Sequence, residues 1–196
     1  MELSIPVHTV NPQNIYFTEK KKNIIVDGDF TKILYSTDVF EMNGLYIFIK
    51  FETSNCPPTA SRTYEDETSL KDRASNQNQN WIQMNRVVRR TFSINFRSTN
   101  NLELIERLCK MERNIIDRYI VNHCPSKTAS YILKSQLLSG TIKYHSEYKD
   151  MTKRVDCSDD AILLGGGGTC KTILKISGIW ETASSVGITM KFILLA

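Results

Sequence analysis

Residues 163–175 read LLGGGGTCKTILK and come nearer to a catalytic signature than any other stretch of this 196-residue chain. A phosphate-cradling loop runs Gly, four residues, Gly, Lys, then Ser or Thr. Its backbone N–H groups wrap the phosphates while the lysine and the hydroxyl reach the terminal phosphate and its magnesium. Gly165, Lys171 and Thr172 stand at the required offsets, but Cys170 occupies the place of the second glycine. Such a loop must also open a helix whose N-terminus faces the anion. Here Thr172, Ile173, Ile176 and Ile179 are β-branched, and Gly178 follows closely, so a strand is expected after Lys171. Only 25 residues follow Lys171, too few for the parallel strands that such a fold adds after its loop. Gly165 to Gly168 are read as a flexible hairpin connection, and nucleotide hydrolysis is not expected.

Other catalytic chemistry lacks its residues. His8, His123 and His145 are far apart in sequence, with no H-E-x-x-H pair and no Cys/His cluster for zinc. His123-Cys124 reads as a helix C-terminus followed by a small buried thiol. The IIVDGD stretch at 24–29 has the look of an acidic strand end for magnesium, yet it precedes the loop and adjoins a turn. Glu65-Asp66-Glu67 falls in a polar stretch and is read as solvated charge. The expectation is a protein that is not an enzyme and holds no cofactor or metal.

Binding chemistry is better represented. Residues 81–97 carry Arg86, Arg89, Arg90 and Arg97 without an acidic residue, interleaved with Trp81, Phe92 and Phe96. Single-strand binders combine cations that track phosphates with aromatic faces on which bases stack. Phe92, Ile94 and Phe96 alternate with polar residues and are assigned to the core, while Trp81 and the arginines are assigned to binding. Lys143-Tyr144, Lys149, Lys153 and Arg154 form a second cationic group. Lys171, Lys175 and Lys191 form a third, near Trp180. A net charge of +4 is compatible with a polyanionic partner.

These residues need elements to position them. Runs at 14–19 and 23–37 are rich in β-branched and aromatic residues, with Asp27-Gly28 as a turn. Asn43-Gly44 predicts a tight hairpin, followed by a central strand in which Leu45, Ile47 and Ile49 alternate with Tyr46, Phe48 and Lys50. Residues 53–80 include a Pro pair and one large aliphatic residue, Leu70, which predicts a mobile loop. From Asn100 the pattern turns helical. Leu104, Leu108, Met111, Ile115 and Tyr119 recur at helical spacing, Asn100 and Glu103 read as a capping box, and Pro125 ends the helix. Residues 131–138 fit a helix or a strand, and the final third reads as strands between Gly and Ser turns.

The length suits a single domain over 1–196. The five scattered cysteines contain no C-x-x-C pair, and MELSIPVHTVNP lacks a signal-peptide pattern, so an intracellular, soluble chain is expected. No apolar run is long enough to span a bilayer, so no membrane partner is expected.

GTIKYHSEY at 140–148, followed by TILKISGIWETASSVGITMKFILL at 172–195, resembles the end of the single-stranded-DNA-binding proteins of large nucleocytoplasmic DNA viruses. The resemblance implies an OB-like β-barrel with a basic, aromatic single-strand groove. It makes Lys143, Tyr144, Trp180 and Lys191 motif positions. The resulting expectation is a mainly β (α+β) fold: an antiparallel OB-like barrel with one long inserted helix, a jelly-roll sandwich being the alternative. Its function is expected to be non-enzymatic binding of single-stranded nucleic acid in viral DNA replication. A viral structural or assembly protein is the competing class, and a homo-oligomer is left open.

Overall fold

The structure, a computed structural model, describes residues 4–23, 27–54, 90–145 and 168–195. Among these residues the fold is mainly β in an α+β arrangement. Its strands are β1 (Ile5–Pro6), β2 (Ile15–Lys22), β3 (Asp29–Ser36), β4 (Glu41–Asn43), β5 (Leu45–Glu52), β6 (Arg90–Ser93), β7 (Thr128–Ser130), β8 (Thr141–His145), β9 (Thr169–Glu181) and β10 (Ser185–Leu194). Helix α1 (Thr99–His123) separates β6 from β7, and the short α2 (Ile132–Leu138) separates β7 from β8.

Strand β9 organises the sheet. One edge pairs antiparallel with β10, from Val186 opposite Glu181 to Leu194 opposite Thr172. The other edge serves two partners in turn, β5 alongside Thr169 to Ile176 and then β3 alongside Gly178 to Glu181. A register shift between Thr189 and Met190 marks the changeover. It lets a 13-residue strand bend enough to belong to both halves of the sheet. Beyond β10 come β7 and β8, both parallel to it, and β6 closes that side antiparallel to β8. The sheet is therefore mixed, where an antiparallel one was expected. The parallel pairs join strands distant in the chain, since β9 intervenes between β8 and β10 and α2 and β8 also intervene between β7 and β10. The described strands form one sheet, not the two facing sheets of the jelly-roll alternative.

The run β5–β9–β10–β8–β6 almost returns on itself. Thr53, just past β5, forms an isolated antiparallel bridge with Ile94, just past β6, and Asn95 N–H donates to Glu52 O at 2.9 Å. The inward phase of these strands fills the core: Leu45, Ile47, Ile49 and Phe51 from β5, Leu174 and Ile176 from β9, Phe192 from β10, and Tyr144 from β8.

Helix α1 packs a stripe of Ile105, Leu108, Met111, Ile115, Ile116 and Tyr119 against this core. Each fully buried aliphatic contributes roughly 1.5–3 kcal/mol. The cap is Ser98, whose hydroxyl accepts from Asn101 N–H at 3.3 Å, and not the expected Asn100. Asn100 instead reaches Glu52, donating to its carboxylate at 2.9 Å. Asn101 is buried because its carboxamide serves three backbone groups: it accepts from Glu52 N–H and donates to Glu52 O and Asn95 O. Glu112, also buried, accepts from Leu133 and Lys134 N–H at 2.8 Å each, capping α2 from the side of α1. Burial pushes the Glu112 carboxyl up against the opposing pull of those donors.

Three further expectations change. Asn43-Gly44 does not form a hairpin: β4 pairs with β3, while β5 pairs with β9 and β1. Gly44, at φ +103°, turns the chain as it leaves one partner for the other, and a Cβ there would lie 2.9 Å from Ile176 O. The actual reversal comes earlier, where the Thr37 hydroxyl and backbone clasp Phe40. Phe96 leaves the alternation of Phe92 and Ile94, because the strand has ended in a turn and its ring is 42% exposed over Gly140. Strands β2 and β3 do form a hairpin, but Lys22 lies opposite Asp29, so the connection spans 23–28 and is longer than a turn at Asp27-Gly28 alone. The expected strand residues 24–26 lie outside the described residues, as do 55–80 of the expected loop.

Candidate nucleic-acid interface

Alternation along a strand decides which side chains leave the core. On β9, Thr172, Leu174 and Ile176 point inward, which sends Lys171, Ile173 and Lys175 to the opposite face. Residues directly opposite each other in a ladder share a face, so pairing converts these positions into rows. Tyr46 of β5, Lys175 of β9 and Lys191 of β10 form one row. Lys143 extends it onto β8, since it precedes Tyr144 as Lys191 precedes Phe192, and those two pair in parallel register. Thr91 of β6, opposite Lys143, ends the row. The next row is apolar, with Phe48, Ile173 and Ile193, and beyond it Lys50 faces Lys171.

Five lysines on four neighbouring strands thus share one face, adjacent strands being about 4.8 Å apart. Lys50, Lys143 and Lys171 are exposed, and Lys175 and Lys191 are half-buried. Like charges directly opposite on a sheet repel, and here Lys175 faces Lys191 while Lys50 faces Lys171. None of the five forms an ion pair with a described acidic residue. Lys175 Nζ lies 4.5 Å from the Tyr46 ring centroid, a cation–π contact of about 0.5–1 kcal/mol, which holds the ammonium in place without neutralising it. The arrangement can hold a multivalent anion.

No family model, no curated protein and no solved structure matches this chain.

The structure brings four sequence-expected residues, Lys143, Lys171, Lys175 and Lys191, onto this face. Trp180 lies further along the same phase of β9, opposite Phe30 and Gly187. Its indole N–H donates to Ile188 O at 3.1 Å, and a Cβ on Gly187 would come within 2.4 Å of its ring. The ring therefore lies flat on backbone. Tyr144 is corrected: at 3% exposure it belongs to the core, with its ring centroid 6.0 Å from that of Phe92, and cannot stack on a base. Arg97 is exposed in the turn between β6 and α1, apart from the lysine rows. Arg90 pairs its backbone with Tyr144, and its side chain is outside the description. Trp81, Arg86, Arg89, Lys153 and Arg154 lie outside the described residues.

Sequence reasoning missed Tyr46 and Lys50. Their signal was present in β5, where Lys50 marks the solvent phase, but their importance depends on having β9 as neighbour. The loop that looked like a phosphate cradle resolves at its C-terminal side: Lys171 and Thr172 lie within strand β9, so no helix opens there. Thr172 points into the core, and its hydroxyl has no hydrogen-bond partner among the described residues.

A second ionic cluster sits at the other end of β9 and faces inward. Glu181 is 2% exposed. Its carboxylate receives Tyr119 O–H at 2.5 Å, Lys20 Nζ at 2.8 Å and Lys127 Nζ at 2.8 Å. Thr31 Oγ1 lies 2.7 Å from the Tyr119 hydroxyl. Burial pushes the Glu181 carboxyl up, but its three donors more than reverse this and hold it down at about 2. Burial and the bond to Glu181 push the Tyr119 phenol up, while the bond to Glu181 also raises Lys20. A carboxylate held so low is a poor proton acceptor near neutral pH, so the cluster ties β2, β3, α1 and β9 together without being suited to acid–base chemistry. An open groove of about 640 Å³ between α1 and the N-terminal segment is lined by Val7, Val10 and Met111 with Glu106, Arg107 and Lys110. Its mixed charge favours no ligand class. No group of potential metal ligands occurs among the described residues.

Proposed function

We propose that this protein binds single-stranded nucleic acid through the lysine-bearing face of β5, β9, β10 and β8, without catalysing a reaction on it. The observation that carries the reading is the two cross-strand lysine pairs, Lys175 opposite Lys191 and Lys50 opposite Lys171, none of them in an ion pair with a described acid. A sheet that sets like charges opposite each other gives up stability, and a polyanion recovers it by replacing the counterions those lysines collect.

Single strands suit the face better than duplex. It is a sheet surface with no described helix projecting from it to enter a major groove, and it sets the rings of Tyr46 and Trp180 in the same outward phase as the lysines. Unpaired bases offer π-faces to such rings. The resemblance of residues 140–148 and 172–195 to single-stranded-DNA-binding proteins of large DNA viruses supports the same function, and with it a role in replication inside an infected cell. The bridge between Thr53 and Ile94 supports an OB-like reading of the five-strand run.

The test is titration of a labelled, mixed-sequence single-stranded oligonucleotide over a salt series, with duplex of the same sequence as competitor. Binding that weakens log-linearly with salt and prefers the single strand is expected. A protein that ignores the oligonucleotide even at low salt overturns the proposal.

A further inference from the structure

Two routes lead a polyanion over this face. One follows the β5–β9 ladder lengthwise, along Lys50, Lys171 and Lys175. The other crosses the strands along the row Lys175, Lys191, Lys143. Resting on the single-strand reading above, we infer that the bound strand crosses the sheet, entering beside Tyr46 and leaving over Lys143 towards Thr91.

The first reason is spacing. The crossing row places three cations on three adjacent strands with no residue between them, about 4.8 Å apart. Along β9 the two lysines are separated by Ile173, which is only 6% exposed and offers a phosphate nothing to bond. The second reason is what stands at the exits. Beyond Lys50 and Lys171 the lengthwise route meets Glu52, which shares their phase and sits opposite Thr169. Its carboxylate accepts from Asn100 at 2.9 Å, an arrangement that favours the ionised form and repels phosphate. At the other end β9 passes into its register shift at Ser177 and Gly178, where no lysine follows on that strand. The crossing row, from Tyr46 through Lys175, Lys191 and Lys143 to Thr91, includes no described acid. It ends on Thr91 and, in the same phase of β6, Ser93, whose hydroxyls can donate to phosphate oxygens. Tyr46 stands at the opposite end of the row, where a base can stack.

The two routes share Lys175 and differ in everything else, so they separate cleanly. Salt-series titrations with a single-stranded oligonucleotide are run on Lys143→Gln, Lys191→Gln, Lys50→Gln, Lys171→Gln and Glu52→Gln, each first checked for an unchanged thermal melt. The crossing path predicts that Lys143→Gln and Lys191→Gln each lower the salt slope by about 0.7, the value for one lost single-strand phosphate contact. Lys50→Gln and Lys171→Gln then change it by less than half as much, and Glu52→Gln leaves affinity within twofold. A full slope loss at Lys50 and Lys171 with none at Lys143, together with tighter binding by Glu52→Gln, overturns the crossing path while leaving the function standing. If the parent binds and no lysine variant alters the slope, this face is not the interface and both proposals fall.

Discussion

Near its C-terminal end, β9 turns Glu181 inward, where Lys20, Lys127 and Tyr119 converge on one carboxylate. Six residues earlier the same strand turns Lys175 outward, opposite Lys191 and with no described acid bonded to it. Positive charge is used in two ways here. At Glu181 it is paired and fixed, because a carboxylate out of water is tolerated only when its charge is met by donors. On the lysine face the lysines stand opposite one another and form no ion pair with a described acid. Cations that serve the fold carry their own counter-charges, whereas cations left facing one another point to a counter-charge from outside.

The largest effect expected from breaking this contrast is at the sealed end. Glu181→Gln should cost about 3 kcal/mol, because Lys20, Lys127 and Tyr119 lose the acceptor that justifies their convergence. The same carboxylate sets a pH dependence. Its folded value lies near 2 against an ordinary 4.5, so its contribution is complete above about 4.5 and is lost as pH falls towards 2. Denaturant melts at pH 7 and at pH 3 should show the parent losing stability that the Gln variant has already lost. Equal acid sensitivity in both proteins would remove Glu181 from the account.

Gly187→Ala is expected to cost about 2 kcal/mol by overpacking. The new Cβ would meet the Trp180 ring at 2.4 Å and Ser130 O at 3.0 Å, so the indole must lift from the backbone. A shifted tryptophan emission should accompany the lower melting temperature, and an unchanged melt would mean that the ring has room to move.

Within the sealed cluster the two lysines should differ. Lys127 is 20% exposed and Lys20 is 39% exposed, so Lys127→Met should cost roughly 2 kcal/mol and Lys20→Met nearer 1. The reverse order in chemical denaturation would contradict the geometry.

The smallest effect belongs to the open face. Lys191→Gln should alter stability by less than about 0.5 kcal/mol. A double-mutant cycle with Lys175→Gln should report a repulsive coupling that fades as salt is raised. An attractive coupling would show that the two ends of β9 do not differ in the way described.

Much of this fold was legible in the order of residues. The alternation of Leu45, Ile47 and Ile49 with Tyr46, Phe48 and Lys50 assigned the two faces of β5, and helical spacing located α1 together with most of its buried stripe. The β-branched run after Lys171 argued against a phosphate loop, and a strand stands there. Misreadings arose where a local signal competed with a distant partner. Asn43-Gly44 has the chemistry of a tight hairpin turn, yet β4 and β5 find different neighbours, since joining β5 to β9 buries its apolar phase. Asn100 resembles a cap but is drawn to Glu52, and Ser98 takes its role. Tyr144 stands beside an exposed lysine in sequence and points the opposite way, into the core.

The sequence by itself determined the alternation along each strand, because a period of two is a local property of the backbone, reset only where a register shift such as that in β9–β10 interrupts it. It therefore determined that Lys50, Lys143, Lys171, Lys175 and Lys191 would be at or near the surface. Only the tertiary structure decided that they meet. Lys143 and Lys191 are 48 positions apart, and Lys50 and Lys171 are 121 apart. Their adjacency follows from which strand edges pair and in what register, and that choice is made by burial of the whole core. The same holds for Glu181: nothing around it in sequence marks it as buried, and its donors arrive from β2, from α1 and from the segment following α1. Local pattern sets the face a side chain takes, while the packing of distant elements sets its company, and the chemistry of this face depends on that company.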